Sequence, residues 1–163
     1  MAVVAEESTE YENAYTDNPP NMNDGWGGRV RQMQFTAANV TGGDATSSLA
    51  LIKLPPGKIT LMLANSFAYV NWTTASATLD LGWDAYEDPD GAAVAADADG
   101  LIDGLDVDAV GVFQLTSNIA AQLLEGGNYT FESKNGVTIR ATCQDVALAA
   151  NDDLVGSLMY VQN

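Results

Sequence analysis

The residues with the greatest chemical potential in this sequence are acidic side chains concentrated between positions 76 and 112, where no lysine or arginine interrupts them. They are Asp80, Asp84, Glu87, Asp88, Asp90, Asp97, Asp99, Asp103, Asp106 and Asp108. Several carboxylate oxygens close together are the ligands that Ca²⁺ prefers. The EF-hand spacing fails, because counting from Asp97 places Ile102 where that loop needs glycine. A calcium site of another kind and a solvated acidic loop both remain open; we expect the solvated loop and no metal.

Catalytic chemistry has little support, because the sequence contains no histidine. The commonest general base is therefore missing, and a serine, threonine or cysteine nucleophile has no histidine partner. Neither of the glycine-rich phosphate-binding motifs, GxxxxGKS/T and GxGxxG, occurs. Paired carboxylates could hydrolyse a glycoside, but so many acids lie in turns that no pair stands out. We expect no enzymatic activity and no cofactor.

The single cysteine, Cys143, rules out an internal disulfide. It alternates with Val137, Ile139 and Ala141, as a residue on the inner face of a strand does. The pattern therefore predicts a small buried apolar side chain rather than a reactive thiol.

The charge balance limits the partners of this chain. Its 163 residues contain 22 acids and 6 bases, a formal net charge of −16. Such a field disfavours direct binding to nucleic acid or to an anionic membrane, and it suits a basic protein surface. No run of 18 apolar residues occurs, and the first residues lack the basic and apolar regions of a signal peptide. We therefore expect no membrane association.

The first 28 residues differ from the rest of the chain, since they contain six acids, no base and many Asn, Pro and Gly. Pro19-Pro20 and the glycines around Trp26 oppose regular structure. A solvated, disordered tail is one interpretation. The other, which we adopt as the prediction, is an extended arm (residues 1–28) that docks onto another subunit. Its apolar anchors would be Tyr11, Tyr15, Met22 and Trp26.

The elements that must position these residues are short strands within a domain of residues 29–163. In 76–83, Ala77, Leu79, Leu81 and Trp83 alternate with polar residues, as in a half-buried strand. Further strands are predicted at 46–54, 58–64, 109–116, 120–124, 128–133, 137–143 and 153–161. The last is apolar on both faces, which is typical of a central strand or of one at a subunit contact. A short helix capped by an aspartate is predicted within 92–105. The fold class is all-β, a β-sandwich of about eight strands in Greek-key or jelly-roll form.

The order of several segments resembles the capsid decoration (cement) proteins of tailed bacteriophages. The segments are RVRQMQFTAANV, LALIKLPPGKITLML, ATLDLGWDAY, DADGLIDGLDV, KNGVTIRAT and LVGSLMYV, which together span about 29–161. The resemblance implies a jelly-roll homotrimer that binds the major capsid protein outside the phage head, after synthesis in the host cytoplasm. It implies an arm lying along the capsid lattice and no catalysis. The basic pair Arg29 and Arg31 would then contact acidic patches of the capsid.

Two other classes of function remain open at this point. One is a different virion subunit, of tail, fibre or neck, built on the same sandwich. The other is a carbohydrate-binding module with Trp72, Trp83 and Tyr86 as an aromatic platform.

Overall fold

Twelve strands make up most of the computed structural model, which describes residues 29–38, 40, 42–72, 74–124 and 126–163. The strands are β1 (Arg29–Ala37), β2 (Ser48–Leu54), β3 (Gly57–Met62), β4 (Phe67–Val70), β5 (Thr78–Trp83), β6 (Tyr86–Glu87), β7 (Ala93–Val94), β8 (Asp97–Asp106), β9 (Gly111–Gln114), β10 (Asn128–Ser133), β11 (Val137–Gln144) and β12 (Leu154–Gln162). One short helix, α1 (Ala120–Leu124), lies between β9 and β10. No helix among the described residues is long and apolar enough to span a membrane.

The strands pair in a nested pattern, in which the first strand pairs with the last, the second with the last but one, and so on. β1 pairs with β12, β2 with β11, β3 with β10, β4 with β9 and β5 with β8, all antiparallel. The pairs β1–β12, β3–β10 and β4–β9 lie in a first sheet, while β2–β11 and β5–β8 form a second. A long hairpin rolled up in this way is a jelly roll, which confirms the predicted β-sandwich. The small β6–β7 hairpin is inserted between β5 and β8.

Strand β12 is central in the first sheet, one of the two positions predicted for it. It pairs along its whole length with β1, from Leu154 opposite Ala37 to Gln162 opposite Arg29. On its other side it pairs with β3 at one end and with β4 at the other. β3 and β4 thus occupy one strand position, interrupted by a single 3-10 turn. At this break the Ser66 hydroxyl accepts a hydrogen bond from the Met159 amide (3.0 Å), which leaves that backbone donor satisfied.

The core fills the space between the two sheets and includes the four predicted inner residues of β5. Ala77, which precedes β5, and Leu79, Leu81 and Trp83 within it are all buried. The Trp83 ring meets the Phe131 ring edge to face at 5.4 Å between centroids, a favourable geometry for an aromatic pair.

Two predicted elements are wrong. The helix expected within 92–105 is instead β7, a short connection and most of β8, because that backbone pairs with β5 and Leu101 and Ile102 are needed in the core. The strand expected at 120–124 is instead α1. Its sequence, AAQLL, consists of good helix formers, and the buried Gln122 amide donates to the Gly100 carbonyl (2.7 Å).

Candidate interaction surface

The outer face of the first sheet has no charged side chain on β1, β12, β4 or β9. On β3 and β10 the same face carries Lys58 and Glu132, which form an ion pair (3.3 Å). Directly paired residues of antiparallel strands share a face, so the strand register defines this surface. We call it the neutral face. It consists of Val30, Gln32, Gln34 and Thr36 on β1, Val155, Ser157, Met159 and Val161 on β12, Phe67 and Tyr69 on β4, and Val112 and Gln114 on β9.

Large apolar side chains on the neutral face are open to solvent. Val112 is 71% exposed and Phe67 46%, and Val30 and Tyr69 are exposed as well. Their strand neighbours Ala68 and Val70 are buried, so β4 is apolar on both faces. A half-buried strand normally presents polar residues to water. A contiguous exposed apolar patch of this kind marks an interaction surface.

A covered hydroxyl lies at the centre of the neutral face. Ser157 sits between Gln34 and Phe67 in the register and is only 2% exposed. Its oxygen has no hydrogen-bond partner among the described atoms. The face is therefore closed to solvent at Ser157 and open along β4 and β9.

The acidic residues lie elsewhere, many of them within or beside β5 to β8. Asp80 of β5 accepts a hydrogen bond from the Gly104 amide of β8 (2.8 Å). Asp88 holds a turn together by accepting hydrogen bonds from the amides of Asp90 (3.0 Å) and Ala92 (2.7 Å). This is the turn-stabilising role that aspartate often has. Within the described part of the chain, no group of three His, Cys, Asp or Glu side chains could hold a metal ion.

Two ionisable contacts stand out in the acidic region. Arg140 donates two hydrogen bonds to Asp84, from Nε to Oδ1 (2.6 Å) and from Nη2 to Oδ2 (2.8 Å). This contact lowers the pKa of Asp84. The second contact joins two acids. A hydrogen bond with the Asp99 carboxyl raises the pKa of Asp97, and partial burial adds to the effect.

The predicted contact residues fall in two parts of the chain. Tyr11, Tyr15, Met22 and Trp26 lie outside the described residues. Arg29 and Arg31 are exposed at the start of β1. They share the side of the strand that further along carries the buried Phe35, so they project away from the neutral face.

Three side chains singled out in the sequence are buried. Trp72 and Trp83 belong to the core, and the Trp83 indole nitrogen donates to the Ala95 carbonyl (3.1 Å). They cannot join Tyr86 in an exposed platform for a sugar ring, so the structure contradicts that alternative. Cys143 is buried as expected, and burial raises the pKa of its thiol to about 11.

Sequence reasoning missed the neutral face as a surface. The β12 segment was recognised as apolar on both faces, but Phe67 and Tyr69 were not assigned to any surface. The available signal was the segment FAYV, apolar at four successive positions. Which two of the four are exposed follows only from the register with β12 and β9.

No protein-family model matches the chain, and no curated protein matches it. Among solved structures, a chain of the cyanophage Pam1 capsid asymmetric unit is similar, with a TM-score of 0.52 and 16% identity over 86% of this chain and 90% of that one. At such identity the similarity shows a shared fold.

Two further solved structures are similar to a lesser degree. One is that of infectious bursal disease virus Gt strain (TM-score 0.45, 12% identity, 82% of this chain and 32% of that one). The other is the acidic stable capsid structure of Helicobacter pylori bacteriophage KHP30 (TM-score 0.34, 14% identity, 79% of this chain and 93% of that one).

Proposed function

We propose that this protein is a non-enzymatic structural protein of a phage virion, which binds the outside of the head and cements adjacent capsomers. The observation that supports this most is the jelly roll shared with a chain of the cyanophage Pam1 capsid asymmetric unit. The similarity covers 86% of this chain and 90% of the other, so it concerns nearly the whole of both chains.

The proposed partner is the major capsid protein, and the proposed assembly is a homotrimer. A shell under pressure from its packaged genome is weakest where capsomers meet. A trimer that contacts several capsomers at once makes each further contact intramolecular, so weak single contacts add up to tight attachment. The large negative charge keeps the copies soluble in the host cytoplasm before they reach the head.

In this proposal the attachment has two parts. Residues 1–28 form an arm that lies along the lattice through Tyr11, Tyr15, Met22 and Trp26, and residues 29–163 form the jelly-roll domain. Arg29 and Arg31 bind acidic patches of the shell. Their exposure at the start of β1, directly after the arm, supports that role.

The test is binding of the purified protein to expanded, undecorated heads, measured by co-sedimentation over a range of protein concentrations. Three variants accompany the full-length chain. One lacks residues 1–28, one is Arg29→Glu with Arg31→Glu, and a matched control is Lys53→Glu with Lys134→Glu, which changes the net charge equally.

We expect saturable binding at a multiple of three copies per lattice unit, weakened by the truncation and by the Arg29/Arg31 variant but not by the lysine control. Equal binding of the truncated chain would contradict the arm. No binding of the full-length chain would contradict the cement function and favour a tail, fibre or neck subunit on the same fold.

A further inference from the structure

We propose that the neutral face is the surface through which copies of this chain associate. The inference deepens the homotrimer of the proposed function and rests on it for the number of copies. The face, however, is argued from its own side chains, and it can be tested without any phage head.

The exposed apolar area of the neutral face favours association. Phe67, Tyr69 and Val112 lie in two neighbouring strands of one sheet, and Val155 follows in the next strand. Removing this area from water is favourable in proportion to its size, and aromatic side chains dominate such contacts. Around them, Gln32, Gln34 and Gln114 offer amides that both donate and accept hydrogen bonds. A closed trimer joins two different patches of neighbouring copies, so the β4–β9 part of the face in one copy contacts the β1 part of the face in the next.

The net charge of the domain favours contact through an uncharged surface. Residues 1–28 contain six of the 22 acids and none of the six bases, so residues 29–163 have a net charge of −10. Two such domains repel each other wherever their acidic surfaces meet. At about 0.1 M salt a charge is screened over about 10 Å, so the repulsion is weakest where neither partner presents charges at the contact. The neutral face meets that condition at all of its positions, and the charged residues Lys58 and Glu132 on the β3–β10 side of the same sheet surface neutralise each other in an ion pair.

Charge also argues against other occupants of the face. A charged patch of the shell, whether acidic or basic, would lose water against the neutral face without gaining a partner, because the face offers neither a cation nor a carboxylate. The arm of residues 1–28 contains six carboxylates, which would lose water against apolar side chains without gaining a partner. A second neutral face has neither disadvantage.

The test is the oligomeric mass of the full-length protein in solution, measured by sedimentation equilibrium over a wide concentration range without heads. The variants are Val112→Glu and Val112→Lys, and separately Tyr69→Glu. The matched control is Leu123→Glu, because Leu123 is also an exposed apolar residue (50%) but lies on α1, away from the face. Circular dichroism verifies that each variant is folded.

We expect a concentration-dependent trimer for the wild type and the Leu123 control, and association weaker by about tenfold or more for every variant of the face. Val112→Lys and Val112→Glu put opposite charges at one site. If both weaken association equally, the partner surface at that site is neutral. Tighter association of Val112→Lys would mean that an acidic surface faces it and would overturn the proposal. So would a monomeric wild type, or an unchanged mass in all three variants.

If the face instead contacts the shell, the wild type is monomeric in solution and the variants bind heads less well. That result overturns the inference while leaving the cement function intact. Conversely, a wild type that forms a trimer weakened by the face variants, but that does not bind heads, would leave the inference standing and contradict the cement function.

Discussion

At the scale of single residues, the Asp97–Asp99 contact makes the most specific prediction. The pKa of Asp97 is raised, so the folded state holds this proton more tightly than the unfolded chain does. Such a group stabilises the fold below its unfolded pKa, and the contribution is lost as pH rises through the folded pKa. Above its folded pKa, the negative charge on Asp97 is unfavourable beside the Asp99 carboxyl.

Replacing Asp97 with asparagine should therefore stabilise the protein at neutral pH. The asparagine oxygen can still accept the backbone amides of Asp99 and Gly100 that Asp97 accepts. We expect Asp97→Asn to raise the free energy of unfolding at pH 7 by about 0.5 kcal/mol, the scale of an exposed charge pair, and to lose this advantage near pH 3. Urea unfolding at the two pH values measures it.

Asp90→Asn is the matched control for this prediction, since it removes the same charge from an exposed turn that is not in contact with Asp97. It isolates the general benefit of reducing the net charge of −16. If the free energy of unfolding at pH 7 rises equally in the two variants, the contact between the carboxyls contributes nothing of its own and the prediction fails.

At the scale of elements, alternation predicted strands well where apolar residues recur at every second position. β5, β10 and β11 lie close to their predicted bounds, because this period-two spacing is visible in one segment without reference to any other. Alternation failed at 120–124, and the aspartate cap failed to predict the structure of 92–105. In both segments the secondary structure depends on contacts with distant parts of the chain, namely the hydrogen bond of Gln122 to Gly100 and the pairing of β8 with β5.

The candidate interaction surface could likewise be predicted only in part from the sequence. The arginine pair was visible as the first two bases in the sequence, and the structure places both in β1. The neutral face was not visible as a unit, because its members come from four strands far apart in sequence. Only the nested pairing of the jelly roll brings the Phe67 and Val112 strands beside β12.

Strand β12 also contains a glycine whose role is purely one of packing. A methyl group at Gly156 would meet the Phe67 carbonyl, the Phe35 ring at 2.7 Å and the Ala68 backbone at 2.8 Å. Backbone atoms of a paired strand cannot move aside cheaply. We expect Gly156→Ala to lower the free energy of unfolding by about 2 kcal/mol, a typical cost of overpacking, measured by urea unfolding.

Gly111→Ala in β9 is the control for that substitution. There the nearest side-chain atoms would lie at 3.7 Å, an ordinary contact distance, and no positive φ adds strain. We expect its unfolding midpoint to stay close to that of the wild type. Equal destabilisation of the two variants would mean that loss of glycine itself, rather than the crowding at β12, sets the cost.

At the scale of the whole molecule, the two proposed surfaces should respond to salt with opposite signs. Screening shortens from about 10 Å at 0.1 M to about 3 Å at 1 M, which weakens attraction and repulsion between charges alike. Association through the neutral face is opposed by repulsion between domains of charge −10, so added NaCl should tighten it. Attachment to a shell through Arg29 and Arg31 depends on attraction, so the same salt should weaken it.

Sedimentation equilibrium and head co-sedimentation across this salt range measure the two responses on one preparation. A control variant, Asp90→Asn with Asp108→Asn, reduces the repulsion directly. It should associate more tightly at 0.1 M and depend less on salt. If self-association weakens with salt instead, the copies meet through paired charges and the neutral face is not their contact. If head binding is indifferent to salt, the attachment is apolar, and the arm rather than the arginine pair provides it.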